Sequence, residues 1–327
     1  MQHYRAPGWA LGGGAAGGHL QTIWPALFAR RYEGGAPIFR RERWDTPDGD
    51  FIDVDFQSDP PPPAGARWIV LLHGLEGSSA SHYAQALAHW ARSHGWAFAV
   101  PHFRGCSGEI NRAPRAYHSG DYEEVGWIVE RLRARSGAPL VAVGVSLGGN
   151  ALLRWAEEAG ESAARSVRSV CAISSPVDLA AAGRAIGRGL NRLVYTPMFL
   201  RTMRPKALAK LAQYPGLFDR DALLAARDLY AFDNVFTAPL HGFRDTEDYW
   251  TRASAKPQLD RIRVPALVVN ARNDPFVPAA SLPTAAQAGR WVTLWQPAHG
   301  GHAGFPAGPP PGHLGGLPDA VMRWAQG

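Results

Sequence analysis

The sequence predicts an α/β protein: a mostly parallel sheet of eight strands with helices on both faces, interrupted by a helical insertion. Three observations predict it. Short apolar runs alternate with helix-patterned runs of about ten to sixteen residues, the rhythm of a doubly covered parallel sheet. Most of the apolar runs are continuous rather than alternating, as in strands buried on both faces. The alternation stops near residue 178 and resumes near 250, which sets apart a core of 1–177 plus 251–327 and a cap of 178–250.

The N-terminal third reads as short strands. "IFRRERW" (38–44) and "FIDVDFQ" (51–57) flank the turn-forming "DTPDGD", the pattern of a hairpin. "SDPPPPAGA" (58–66) is a connection whose prolines exclude a helix or a central strand. "RWIVLLHG" (67–74), "WAFAVPHF" (96–103), "APLVAVGVS" (138–146), "VRSVCAISS" (167–175), "VPALVVNARNDP" (264–275) and "RWVTLWQ" (290–296) supply the remaining strands. Helical runs fall between them at 81–95, 121–137 and 150–160, then near 279–288 and 316–326. The run at 121–137 is acidic early and Arg-rich late, the order that suits the helix dipole. In the insertion, Pro197, Pro205, Pro215 and Pro239 predict a series of short helices. "FPAGPPPGHLGGLP" (305–318) reads as a surface loop of low complexity.

Bulk properties exclude several function classes. Hydrophobic content of 46% and charged content of 19% over 327 residues describe a folded, soluble chain. No apolar run approaches the ~18 residues of a membrane span, and "MQHYRAPGWALGGGAAGGHL" lacks the apolar core of a signal peptide; a cytoplasmic protein is expected. Cys106 and Cys171 stand alone, which leaves neither a disulfide framework nor a cysteine metal site. The net charge of +6 comes almost wholly from scattered Arg, a solvated surface rather than a nucleic-acid footprint. Weak peripheral contact with acidic membranes stays open, as does oligomeric state.

The chemistry starts at "GVSLGG" (144–149), where a buried strand ends and a helix begins. A tight strand–turn–helix lifts a serine into exposed geometry, and Gly144 and Gly148 leave room for it. The new helix also aims free N–H groups and positive dipole at Ser146. A serine hydroxyl needs a base. His302 in "HGGHAGF" follows the last strand, flanked by glycines that permit a sharp turn; His299 competes, and His313 lies in the Pro-rich loop. Asp274 in "NARNDPFVP" stands at a strand end, with Asp178 as the alternative, and either acid would orient an imidazole. The N–H groups of Leu147 and of Leu75, in "HGLEGSS", are the candidate oxyanion donors. His73 reads as a shaper of that loop.

With these pieces in place the sequence resembles the α/β-hydrolase superfamily, and within it the AB hydrolase 4 (YheT-like) family. The resemblance is carried by "GGHLQTIWP" (17–25), "HGLEGSSASHY" (73–83), "FRGCSG" (103–108), "YHSGD" (117–121), "GVSLGGN" (144–150), "NARNDPF" (270–276) and "GGHAGF" (300–305). It implies an α/β-hydrolase fold, a Ser146–Asp274–His302 triad and carboxylic-ester hydrolysis without metal or organic cofactor. Residue 273 is Asn where relatives are expected to carry a second Asp. "LNRLVYTPMFLRTM" (190–203) offers Leu193, Met198 and Phe199 as a substrate pocket for short- to medium-chain or lipid-like esters. An alcohol O-acyltransferase on the same three residues and a non-catalytic binding protein are the rival readings.

Overall fold

A computed structural model of the chain describes residues 1–12, 15–59 and 61–327. Residues 13 and 14, in the N-terminal glycine run, and residue 60, in the Pro-rich connection, lie outside the described residues. The strands β1 (Ile38–Asp45), β2 (Phe51–Asp59), β3 (Trp68–Leu72), β4 (Ala97–Pro101), β5 (Leu140–Val145), β6 (Val167–Ile173), β7 (Ala266–Val269) and β8 (Val292–Trp295) form one sheet in the order β1-β2-β4-β3-β5-β6-β7-β8. β2 pairs antiparallel with both β1 and β4. The strands from β4 through β8 pair in parallel.

Successive residues of the central strands are divided between two cores, as a pleated strand requires. Ile69, Leu71, Val141 and Val143 face one core, and Val70, Leu72, Leu140 and Ala142 the other. In chain order the helices of the first half are α1 (Ala15–Leu27), α2 (His82–Ser93), α3 (Tyr122–Ser136) and α4 (Leu147–Ala159). Those after β6 are α5 (Leu179–Ile186), α6 (Gly189–Gln213), α7 (Arg220–Ala225), α8 (Leu229–Val235), α9 (Thr237–Leu240) and α10 (Thr246–Ala253), followed by α11 (Ala285–Ala288) and α12 (Gly316–Gln326). α3 and α4 cover the first-described face's opposite with Val125, Ile128, Leu132 and Leu152. α2 and α12 cover the other with Leu87, Trp90, Val321 and Met322. Each fully buried aliphatic side chain contributes about 1.5–3 kcal/mol against the entropy of ordering the chain. Among the described residues no helix is long and apolar enough to cross a membrane.

The structure departs from the sequence expectation in three places. The N-terminal third is not all strand, because α1 forms at residues 15–27 despite Gly17, Gly18 and Pro25. α6 runs unbroken for 25 residues through Pro197 and Pro205. Proline's fixed φ fits a helix, although each ring removes one i→i−4 hydrogen bond and crowds the carbonyl four residues earlier; the short helices of the insertion are α5 before α6 and α7 to α10 after it. The loop at 305–318 is not a free excursion, since Phe305 and Leu314 are buried and His313 exchanges backbone hydrogen bonds with Ala307.

Candidate active site

Ser146 ends β5 and caps α4, with φ 54° and ψ −122°, a conformation that non-glycine residues adopt only when their surroundings enforce it. The surroundings are tight. A Cβ on Gly144 would lie 2.5 Å from the Gly148 carbonyl oxygen, and one on Gly148 would lie 2.4 Å from those of Leu72 and His73. Backbone therefore meets backbone around the turn. Asn150, one helical turn into α4, donates to the Ser119 and Ala253 carbonyls and accepts from the Ala255 N–H. That fully buried amide ties the start of α4 to the "YHSGD" loop and to the end of α10.

His302 Nε2 lies 3.0 Å from the Ser146 hydroxyl, and its Nδ1 lies 2.8 Å from Asp274 Oδ2. The second carboxylate oxygen of Asp274 accepts from the N–H groups of Phe276 and Val277 at 2.8 and 3.3 Å. The imidazole packs on the Phe276 ring, with centroids 4.3 Å apart. Of the alternatives read from sequence, Asp178 caps α5 by accepting from the Ala181 N–H. His313 pairs with Ala307 in the C-terminal loop.

What holds the histidine loop is the part sequence reasoning missed. Gly300, Gly301 and Ala303 all have positive φ, so the loop makes no regular ladder. Instead four consecutive amides donate to side-chain oxygens: Gly300 to Gln21 Oε1, Gly301 to Asn273 Oδ1, His302 to Thr22 Oγ1 and Ala303 to Ser174 Oγ. Asn273 Nδ2 also donates to Gln21 Oε1, joining the acid loop to the same amide. Gln21 and Thr22 are buried on α1. α1 reaches them by direct backbone contact, since a Cβ on Gly18 would sit 2.0 Å from the Asn273 carbonyl oxygen and one on Gly304 1.7 Å from that of Gln21. The "HLQT" stretch is thus a strap over both loops. Its signal in the sequence is a Gln–Thr pair inside an otherwise apolar, glycine-led run.

The loop after β3 is fixed from another side. Glu76, at φ 57°, donates its N–H to the Tyr117 hydroxyl, which donates in turn to Glu76 Oε1. Lys206 of α6 stands 2.8 Å from the other oxygen. Leu75, next to this clamp, and Leu147, the first residue of α4, line a cavity together with Ser146 and His302. His73 is fully buried; it accepts from the Phe103 N–H at Nε2 and donates from Nδ1 to the Gly74 carbonyl. Burial pushes it down to about 3, so it shapes the loop as a neutral ring. Arg104 of "FRGCSG" is buried among Asp48, Asp50 and Glu124 and anchors that segment. Burial pushes the Cys106 thiol up to about 12, which leaves it protonated and unreactive at neutral pH.

A family profile for the alpha/beta hydrolase fold matches residues 67–309, and the chain is 38% identical over 293 residues to "Putative esterase YheT" of Escherichia coli (strain K12), covering 89% of this chain and 84% of that one. The chain belongs to the alpha/beta hydrolase fold family. Phospholipase ABHD3 of Mus musculus is 30% identical over 239 residues, 72% of this chain and only 58% of its own length. Among solved structures, Est1E of Butyrivibrio proteoclasticus, with ferulic acid bound, has a TM-score of 0.53 at 14% identity and covers 88% of this chain and 98% of that one. At such identity the likeness concerns the fold alone.

In this hydrolase-fold chain the cavity beside Ser146 measures about 1110 Å³ including its open mouth. Its walls are largely apolar, with Leu179, Ile186, Phe199, Phe232, Phe236 and Trp250 from the helices between β6 and β7. Phe199 is the one pocket residue of the three read from sequence that lies on this wall. Leu193 and Met198 are corrected: they are 75% and 47% exposed and lie outside the cavity lining. Helical geometry gives the reason, because at about 100° per residue Phe199 lies about 120° around α6 from Leu193 and about 100° from Met198.

Asp233 also lines this cavity, accepting from Thr237 Oγ1 and Trp250 Nε1. Burial pushes its carboxyl up to about 6, against the two donors that pull it down. In the unfolded chain it ionises near pH 4. Between those values the folded state holds the extra proton, so this group's contribution to stability falls as pH rises. Relative to an Asp233→Asn variant, the wild type should lose roughly 2 kcal/mol of unfolding free energy between about pH 4 and pH 7, read by urea denaturation at each pH.

Proposed function

We propose that the chain is a serine esterase acting by two-step acyl transfer. Ser146 attacks the ester carbonyl while His302 takes its proton. Asp274 holds the imidazole in the tautomer that leaves Nε2 free and stabilises the charged ring. The N–H groups of Leu75 and Leu147 receive the developing oxyanion. His302 gives that proton to the departing alcohol as the ester C–O bond breaks, leaving the acyl group on Ser146. Water, activated by the same imidazole, then releases the acyl group as the carboxylic acid and regenerates the serine.

The observation that carries this reading is one imidazole spanning a serine hydroxyl at 3.0 Å and a carboxylate at 2.8 Å. Support comes also from the relatives, one named an esterase and one a phospholipase. The helices of 178–250 act as a cap whose apolar wall takes the acyl chain, which favours short- to medium-chain or lipid-like esters. Turnover of p-nitrophenyl esters of increasing acyl length tests this. kcat/KM should rise from acetyl to medium chains and then fall as the cavity fills; no turnover of any member would overturn the reading.

The α1 strap makes a separate prediction. Thr22→Val keeps the side-chain shape but leaves the His302 N–H without its acceptor. A loop shift of about 1 Å from such a loss can lower kcat by up to about a hundredfold with KM little changed. Thr22→Ser, which keeps the hydroxyl, should restore most of it. Steady-state kinetics on both variants measures the difference, and equal kcat values for valine and serine would remove Thr22 from the positioning role.

A further inference from the structure

Helix α1 is built inside out. Its polar side chains Gln21 and Thr22 are buried, while Ile23 and Leu27, with Phe28 just after the helix, are exposed, Leu27 63%. A surface helix ordinarily turns its apolar stripe to the core. The first half of α6 does something similar: Leu190, Leu193, Val194 and Met198 are all exposed, at the three- and four-residue spacings that place side chains on one side of a helix. The two helices touch where His19 Nδ1 lies 3.0 Å from the Tyr195 hydroxyl and the two rings stack. These adjoining helices, with Leu11 ahead of α1, carry most of the large apolar side chains that are exposed among the described residues. Exposed apolar surface gathered in this way marks an interaction face.

Charge selects the partner. Residues 1–32 contain no Asp or Glu, and neither does α6. The charges beside the apolar side chains are cationic, with Arg30, Arg188, Arg192 and Arg201 all exposed. Apolar side chains on segments that themselves carry Arg and Lys but no Asp or Glu match a bilayer with anionic headgroups, where the chains enter the acyl boundary and the guanidinium groups meet phosphates. A second copy of this chain fits less well, because a two-fold contact would set cation against cation.

We propose that the outer face of α1 and α6 docks this protein on anionic lipid bilayers. The opposite side of α6 carries Phe199 and Met203 of the cavity wall, so docking brings the cavity to within about one helix diameter, roughly 10 Å, of the lipid. Docking does not depend on the ester-cleaving reading, and its test involves no turnover.

The test is flotation of the full chain with vesicles of phosphatidylcholine alone and of phosphatidylcholine with about one third phosphatidylglycerol. The wild type should float with the anionic vesicles at low salt, release as salt rises and ignore the zwitterionic ones. Arg188→Glu/Arg192→Glu should weaken binding at least about thirtyfold, and Leu27→Glu/Val194→Glu at least about tenfold. All four side chains are exposed, and circular dichroism and thermal midpoints should match the wild type. Three outcomes would overturn the proposal. One is a wild type that stays behind at low salt, and another is variants that float as well as it does. The third is a concentration-dependent dimer, abolished by Leu27→Glu/Val194→Glu, in a protein that ignores anionic vesicles.

Discussion

Ser146→Ala lowers ester turnover by about 10⁵–10⁶-fold and leaves the fold intact. Under the proposed mechanism the size follows from removing the atom that would carry the acyl group, so that catalysis falls back on oxyanion binding and proximity. The intact fold follows from the contacts. The Ser146 hydroxyl meets His302 at 3.0 Å, while the strained backbone is held by the Ser146 N–H bond to Ile173 and by the glycines packed beneath it. Alanine has the same Cβ and disturbs none of these. His302→Ala should cost a similar factor and the double variant little more, because groups that act as one unit are not additive. Steady-state kinetics with thermal unfolding of each variant measures this. A Ser146→Ala enzyme within about a hundredfold of wild type contradicts it.

Asp274→Asn lowers kcat by about 10⁴-fold, and the surrounding donors show why a near-isosteric change does so much. Asp274 Oδ1 accepts two backbone N–H groups, and Oδ2 faces His302 Nδ1. The asparagine carbonyl is the only atom of the new side chain able to receive Phe276 and Val277, so its NH₂ turns to Nδ1. The ring must then accept there and carry its proton on Nε2, where it cannot take one from Ser146. The opposite rotamer leaves two buried N–H groups facing an NH₂, a loss of about 1–3 kcal/mol for each unsatisfied group. The variant should therefore fold, bind ester with little change in KM and turn over slowly. Unchanged kcat would mean that Asp274 does not set the tautomer.

The central sheet was legible in the sequence because its strands are continuous apolar runs, such as Ile69–Leu72 and Leu140–Val145, bounded by glycine or proline. Ser146 was legible because its glycines fall where a strand period changes to a helix period. His302 and Asp274 were legible from their places after successive strands, and the structure places the His302 ring within hydrogen-bond distance of both Ser146 and Asp274. α1 was not. The sequence ahead of it offers no Ser, Thr, Asp or Asn, it holds two glycines and an internal proline, and a local reading of propensity argues against a helix. Its glycines are there for tertiary contact: only without a Cβ can Gly18 approach the Asn273 carbonyl. Such a contact joins residues some 255 positions apart, and no local pattern carries it. The cavity wall was hidden for a related reason. Leu193, Met198 and Phe199 are alike in composition, and only the unbroken course of α6 through two prolines decides which of them faces inward.

The most direct test of the account is a single-turnover experiment with a p-nitrophenyl ester followed by peptide mapping. The account predicts a burst of p-nitrophenol equal to one equivalent of enzyme, with the acyl group recovered on the peptide containing Ser146 and no burst from Ser146→Ala. A stoichiometric acyl group on any other side chain, or a burst that survives the substitution, contradicts it.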